Sequence, residues 1–347
     1  VTKLAVTKLG AIARLAGQRL LSSLPALLGV VIFTFVLMRV LPGDPAVFFS
    51  SGPSAGKQEI EQLRHEMGLD RSIPVQLAFY LRDIGTGSLG HSMTTGQDVT
   101  KDLRERLPAS LELTFAALIL ALGLAIPMGV LGALNPNSWI DHAVRFFCTL
   151  GVCVPTFVSG LLLIYVFYYL VGIAPDPTGR IDVFATPPAT VTGFLTIDGL
   201  LAGDLDVVKS ALSQLILPAA TMALFVLAPL ARMTRAAMLA VLGSDYIRTA
   251  RAMGLSRPRI IIAYALRNAA LPVLTIAGIV FSTMLGANVL VEKVFSWPGV
   301  AAYALDALLA SDYAPVQGFV LLMASVFVVV NLLVDVLYGL ADPRVAS

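Results

Sequence analysis

The chain has 347 residues, of which 57% are hydrophobic and 13% charged, with a formal net charge of +2. Soluble domains carry about 25% charged residues, so this chain has too little polar surface to cover itself in water, and its near-neutral balance offers no strong field for nucleic acid. Its two cysteines, Cys148 and Cys153, lie in an apolar stretch and make no disulfide framework, and the histidines His65, His91 and His142 have no metal-ligand spacing.

A bilayer-crossing helix needs roughly 20 mostly apolar residues. Residues 1–19 carry Lys3, Lys8, Arg14 and Arg19 with no acid among them and are predicted as a cytoplasmic segment with a short helix over 3–17. The first span is predicted over 20–41; it ends in Leu41-Pro42-Gly43-Asp44-Pro45 without a small-residue cleavage site, so it reads as a retained helix. An external loop follows over 42–108, with short helices expected at Lys57–Met67 and Ile73–Ile84 and a break at Gly85, Gly87 and Gly90. Within it, Gly52-Pro-Ser-Ala-Gly56-Lys57-Gln58 is one residue short of a phosphate loop, ends in Gln and follows no buried strand, so it is read as having no phosphate chemistry.

A five-span core is predicted over 109–341, with spans at 109–134, 144–172, 212–231, 269–291 and 316–340 and a tail over 342–347. The fourth helix is expected to continue through Met233–Leu239, and residues 174–199, rich in Pro, Thr and Gly, read as loop. Pro127, Pro155 and Pro218 are candidate kinks. Arginines at 232, 235, 248, 251, 257, 259 and 267 between the fourth and fifth spans lie, for an even number of spans, on the same side as the basic N-terminus and Arg344. By the positive-inside rule that side is the cytoplasm. The fold predicted is therefore an all-α membrane protein of six transmembrane helices with both termini cytoplasmic.

The loop at 244–268 is more ordered than a plain connection. Ser244 or Asp245 can cap a helix rich in alanine, Gly254 suits a left-handed turn, and Ser256 with Pro258 starts a second helix. The residues alone fit either a knob that docks on a cytoplasmic partner or a basic amphipathic helix on anionic lipid.

Polar groups inside spans are expensive and often functional. Thr156, Ser159, Ser282, Thr283 and Asn288, with Asn331 and Asp335, are candidates to line a translocation path; a hydrogen bond to its own helix or a neighbouring one is the more common use of each such residue. Glu292 and Asp335 near span ends read as interfacial or paired. The turn Phe295-Ser-Trp297-Pro298-Gly299 reads either as an external gate or as an aromatic interface anchor.

Arg248-Thr-Ala-Arg-Ala-Met-Gly254 occupies the place of the Glu-Ala-Ala-x-x-x-Gly loop and resembles its variant in the dipeptide/oligopeptide family of ATP-binding-cassette importer permeases, in the first, B-type subunit. The resemblance runs almost end to end: Arg39-Val-Leu-Pro42-Gly-Asp-Pro45, Gly68-Leu-Asp70, Pro74-Val-Gln76, Ser88-Leu-Gly-His-Ser92, Leu217-Pro-Ala-Ala-Thr221, Glu292-Lys-Val-Phe-Ser-Trp-Pro-Gly299 and Asp342-Pro-Arg344 follow in order. The chain departs from the loop pattern where Arg248 replaces Glu and Thr249 the first Ala.

That resemblance implies a non-catalytic subunit that couples to an ATPase through Tyr246, Arg248, Thr249, Ala250, Arg251, Met253, Gly254, Leu255 and Ser256. It implies a heterodimer with a second homologous permease in the bacterial inner membrane, two ATPase subunits that hold ATP and Mg, an extracytoplasmic solute-binding protein that the 295–299 turn reaches toward, and di- or oligopeptide cargo. Nickel, opines, sugars and other small solutes use relatives of the same type. A secondary transporter would show inverted repeats and midplane charges, and an intramembrane enzyme a Ser/His pair, a His-Glu-x-x-His or paired Asp in its spans. No clear inverted repeat or midplane charge stands out, and the histidines fall in or near loops, so both readings rank below the permease.

Overall fold

The computed structural model describes residues 2–40, 44–50 and 56–341, with side chains described over 17–40, 44–50 and 56–337. Parts of the first-span exit motif and of the glycine-rich stretch at 52–58, and all of Asp342-Pro-Arg344, lie outside the described residues.

The described residues are helical, with no named strand. In chain order they form α1 Thr2–Val40, α2 Pro45–Phe48, α3 Lys57–Glu66, α4 Ile73–Gly85, α5 Val99–Leu134, α6 Trp139–Cys153, α7 Thr156–Leu163, α8 Leu195–Ala202, α9 Leu205–Leu242, α10 Asp245–Ala252, α11 Arg257–Arg259, α12 Arg267–Val294, α13 Val300–Leu309 and α14 Tyr313–Ala341. Two π-helical stretches, Ile164–Leu170 and Ile260–Leu266, extend α7 and join α11 to α12. Five helices are long and apolar enough to cross a membrane, or six if the bent pair α6–α7 counts as one span.

The third predicted span, 144–172, is sharply bent at Pro155, one of the candidate kinks. Instead of one helix over 144–172, α6 and α7 meet at a 103° bend. Pro155 has no N–H to continue the ladder and pushes Val154 to φ −91°, ψ 127°. The other helices outrun their predicted spans. α1 merges the expected N-terminal helix with the first span, and α5 starts at Val99 rather than 109. α9, at 38 residues, is about 57 Å long at 1.5 Å per residue. Its N-terminus is set by Asp204, whose carboxylate accepts from the Val207 N–H at 3.1 Å. Pro218 and Pro229 lie inside it without ending it. The predicted short helices at 57–67 and 73–84 are α3 and α4. Within 174–199, Leu195 onward is helical rather than loop.

The chain divides into two compact units. The first holds Leu111–Trp297 with the segments Val1–Ala16 and Val329–Ser347. Close backbone approach knits it together: a Cβ on Gly129 would lie 2.6 Å from Thr234 Cβ and 2.7 Å from the Ala231 carbonyl oxygen. The second holds Gly17–Ser110 with Pro298–Val328. Its core gathers Val99, Leu103, Val300 and Tyr303. Two buried carboxylates brace it. Asp312 accepts from the Ser92 hydroxyl at 2.8 Å and the Thr94 N–H at 3.0 Å, and Asp102 from the Tyr303 hydroxyl at 2.8 Å. In the same unit Arg39 sits 3.8 Å over the Phe35 ring and donates to Gln76 at 3.2 Å.

Candidate functional site: an exposed helix held on the ends of long helices

α9 ends at Leu242, and the Ser244 hydroxyl donates to the Val241 carbonyl at 2.6 Å as the chain turns. Ser244 takes the extended N-cap conformation of α10, though its side chain makes no cap bond. α10 then buries Ile247, 0% exposed, and Ala250, 4% exposed. Their spacing of three residues puts both on one face, and that face packs into a cluster with Ala133, Ala237, Met238, Ile260, Ala265 and Ala269. The opposite face is open: Tyr246 is 43% and Met253 75% exposed, and Arg248, Thr249 and Arg251 are exposed beside them. Arg248 meets Asp245 at 3.3 Å, but both side chains are solvated, so the pair contributes little.

Gly254 has φ +75°, the left-handed region expected of it. The turn is closed by the Leu255 N–H on the Ala250 carbonyl at 3.3 Å. Leu255 is half-buried against the same cluster. Ser256 stands at the N-cap of α11 with Pro258 in its first turn. Beside α10 a cavity of about 630 Å³ is lined by Ala133, Leu242, Arg251, Leu255, Arg257 and Ile260. Of the residues assigned to a contact surface, Ala250 faces inward and serves as an anchor. Ile247, not among the expected residues, is the second anchor; its signal was a β-branched residue three places before Ala250.

Two buried ion-pair networks went unpredicted. In the first, Asp141, with its side chain fully buried, takes a two-pronged contact from Arg235 and a further bond from Arg145 at 2.8 Å. A Cβ on Gly132 would come within 3.2 Å of Asp141 Oδ1, so α5 passes directly against the pair. In the second, Glu112 on α5 accepts from Arg180 and from both the N–H and the hydroxyl of Thr196, at 2.9 and 2.6 Å. A carboxylate there also suits the N-terminus of α8. Asp198 accepts from the N–H groups of Val191, Thr192 and Gly193 and from the Thr192 hydroxyl. Burial would push its carboxyl up; those hydrogen bonds outweigh it and hold it below its ordinary value. Glu112 was visible as an acid inside an apolar run, a pattern that signals a buried partner.

Several candidate path residues are engaged by bonds to the helices. Ser282 and Thr283 turn their hydroxyls to their own helix, on Gly278 and Val280 carbonyls at 3.1 and 2.8 Å. Asn288 is fully buried and donates to Thr114 at 2.9 Å. Thr156 and Ser159 are half-buried in α7. Phe295 and Trp297 are 3% and 2% exposed, so neither stands free as an interface anchor, while Pro298 is exposed and Gly299 precedes α13. Ser296 adopts φ +50°, and the Trp297 N–H closes the turn on the Glu292 carbonyl at 2.7 Å. Among the described residues no group of three or more His, Cys, Asp or Glu side chains could hold a metal.

Residues 125–347 match the family described as binding-protein-dependent transport system inner membrane component, and residues 12–114 match the N-terminal part of such a membrane component. The chain belongs to this inner membrane component family. It is 43% identical over 317 residues to the probable D,D-dipeptide transport system permease protein of Escherichia coli (strain K12), covering 91% of this chain and 93% of that protein. It is 40% identical over 329 residues to the di/tripeptide transport system permease protein of Pseudomonas aeruginosa, covering 94% and 97%. It is 39% identical over 330 residues to the dipeptide transport system permease protein of Escherichia coli (strain K12), again covering 94% and 97%. The family and the apolar helices agree on a multi-pass protein of a bacterial inner membrane.

Proposed function

We propose that this chain is a transmembrane permease subunit of an ATP-driven importer for di- and oligopeptides, and that α10 is its coupling element. The observation that carries the reading is the division of α10 into a buried face, Ile247 and Ala250, and an exposed face, Tyr246 and Thr249 flanked by Arg248 and Arg251, with Met253 exposed at its C-cap. A helix fixed on one side to α9 and the approach to α12, and open on the other, moves with those helices when a partner pushes on it. The recess beside it, with Arg251 and Arg257, offers room for an inserted side chain. Peptide cargo is supported by the names of the relatives.

In this reading two ATPase subunits bind ATP and Mg and grip α10, the basic side faces the cytoplasm together with both termini, a second homologous permease completes the path, and an extracytoplasmic binding protein delivers the peptide. ATP shifts the importer between inward-open and outward-open states because its affinity differs between them. The test is uptake of labelled di- and oligopeptides, nickel and sugars into proteoliposomes holding the co-expressed importer. Peptide uptake should require ATP and be lost in Gly254→Pro with Arg251→Glu. Uptake that persists without the ATPases, or follows an ion gradient, overturns the reading.

A further inference from the structure

Helices α6 and α9 touch at two levels. A Cβ on Gly151 would lie 2.6 Å from the Leu224 carbonyl oxygen, so there the two backbones meet directly. About three turns away, toward the end of α9 that leads to α10, Asp141 and Arg235 clasp. Between these contacts the helices part around a cleft of about 310 Å³. α6 presents Arg145, Cys148 and Val152 to it, and α9 presents Ala228, Arg232 and Arg235. Spacings of three and four residues put each trio on one helix face.

The charges in the cleft do not balance. Three arginines line it, and Asp141 meets two of them, Arg145 and Arg235. Arg235 spends its fork on Asp141, and Arg145 gives it Nη2. Arg232 donates Nε to the Ala228 carbonyl of its own helix at 3.3 Å and meets no carboxylate among the described residues. The Arg145 side chain remains 45% exposed and Arg232 is exposed. Beyond the arginines the wall is mostly apolar, with Val144, Val152, Ala228 and Ala231 beside Thr149 and two cysteines, and next to it on α6 Phe147 and Leu150 are 62% and 45% exposed. Two exposed arginines lining a mostly apolar cleft are complementary to a phosphate with hydrocarbon attached.

We infer that the α6–α9 cleft is a binding site for an anionic phospholipid, its phosphate on Arg232 and Arg145 and its acyl chains along the exposed side of α6. The site is independent of the cargo and of which leaflet it faces. Asp141 keeps Arg235 occupied and ties the two helices together at that end of the cleft.

The test delipidates the purified importer complex in neutral detergent, adds phosphatidylglycerol, phosphatidylcholine or inorganic phosphate, and reads bound adducts by native mass spectrometry. Phosphatidylglycerol should bind in preference to phosphatidylcholine, and inorganic phosphate should give no stable adduct. Arg232→Gln should weaken phosphatidylglycerol about fivefold, the worth of one basic residue near an anionic headgroup, with Arg232→Lys recovering part. A photoreactive residue in place of Thr149, which also lines the cleft, should cross-link to lipid. Equal binding of the two lipids, binding unchanged in Arg232→Gln with Arg145→Gln, stable capture of inorganic phosphate alone, or a cross-link to a protein subunit would each overturn the assignment.

Discussion

Asp141 and Arg235 meet as a two-pronged ion pair, Oδ1 to Nε at 2.7 Å and Oδ2 to Nη2 at 2.8 Å, between helices that the chain connects only through residues 154–204. Removing one partner of a buried pair leaves the other charge without compensation, at a cost of about 3–5 kcal/mol. The Arg235 side chain keeps 23% exposure, so the low end, about 3 kcal/mol, is expected for Asp141→Ala. Arg235→Lys retains charge and loses the fork, and should fall between Asp141→Ala and the unaltered chain. The thermal unfolding midpoint in detergent measures both; an unchanged midpoint in Asp141→Ala removes the pair from the account of stability.

The two faces of α10 should respond differently to substitution. Ile247 is fully buried, and Ile247→Ala should cost about 2–4 kcal/mol through lost packing and a cavity. Arg251→Glu on the exposed side should leave stability within about 0.5 kcal/mol and abolish ATP-dependent uptake. Thermal unfolding and proteoliposome uptake, measured on the same preparations, separate the two effects. Uptake retained in Arg251→Glu would show that this face makes no contact that matters to transport.

Gly129 and Gly254 are glycines for different reasons. A methyl on Gly129 meets Thr234 Cβ at 2.6 Å, so Gly129→Ala should destabilise by about 1–3 kcal/mol through overpacking. Gly254 has open space around it but φ +75°, so Gly254→Ala should cost about 1–2 kcal/mol in backbone strain. Asparagine tolerates that conformation, so Gly254→Asn should recover part of the loss while Gly129→Asn should not. Unfolding midpoints for the four variants decide the matter.

The segment over 191–198 carries a pH-dependent order through Asp198. A carboxyl held below its ordinary value stabilises the folded form above the unfolded value and loses that contribution as pH falls through the folded one. Hydrogen exchange over 191–198, corrected for its intrinsic pH dependence, should therefore be flat from about pH 5 to 8 and rise only below about pH 4. Asp198→Asn should raise it at neutral pH, because an amide oxygen cannot accept all four bonds. Exchange in the unaltered chain that rises near pH 6 would assign the order to another group.

Much of this architecture was legible because lipid leaves few options. Apolar runs become helices, and glycine and proline mark their ends, so α3, α4, α10 and the left-handed Gly254 appear where the sequence predicts them. Helix lengths were less legible: hydropathy reports the lipid-facing part, and it stops at 109 while the helical ladder of α5 reaches back to Val99. The bend at Pro155 needed knowledge of its surroundings, since Pro218 is equally a proline in an apolar run and interrupts nothing. Of the candidate site, the loop could be read from its turn chemistry. Which side of α10 points inward depended on Ala133 and Ala269, far away in sequence. The partners of Glu112 and Asp141 lie 68 and 94 residues distant and have no local signature.

The 103° bend between α6 and α7 has a bearing on assembly. A helix end leaves its last four carbonyls without intrahelical partners, and the next helix start leaves its first N–H groups in the same condition. Hydrocarbon has nothing to offer such groups, and each costs several kcal/mol when left bare there. Where the bend at Val154–Pro155 meets hydrocarbon, a single copy of this chain dispersed in lipid would carry that cost. A neighbouring subunit or a water-filled space against the bend relieves it. If the second permease proposed above is what covers the bend, a cell that makes this chain alone should degrade it faster than one that makes both.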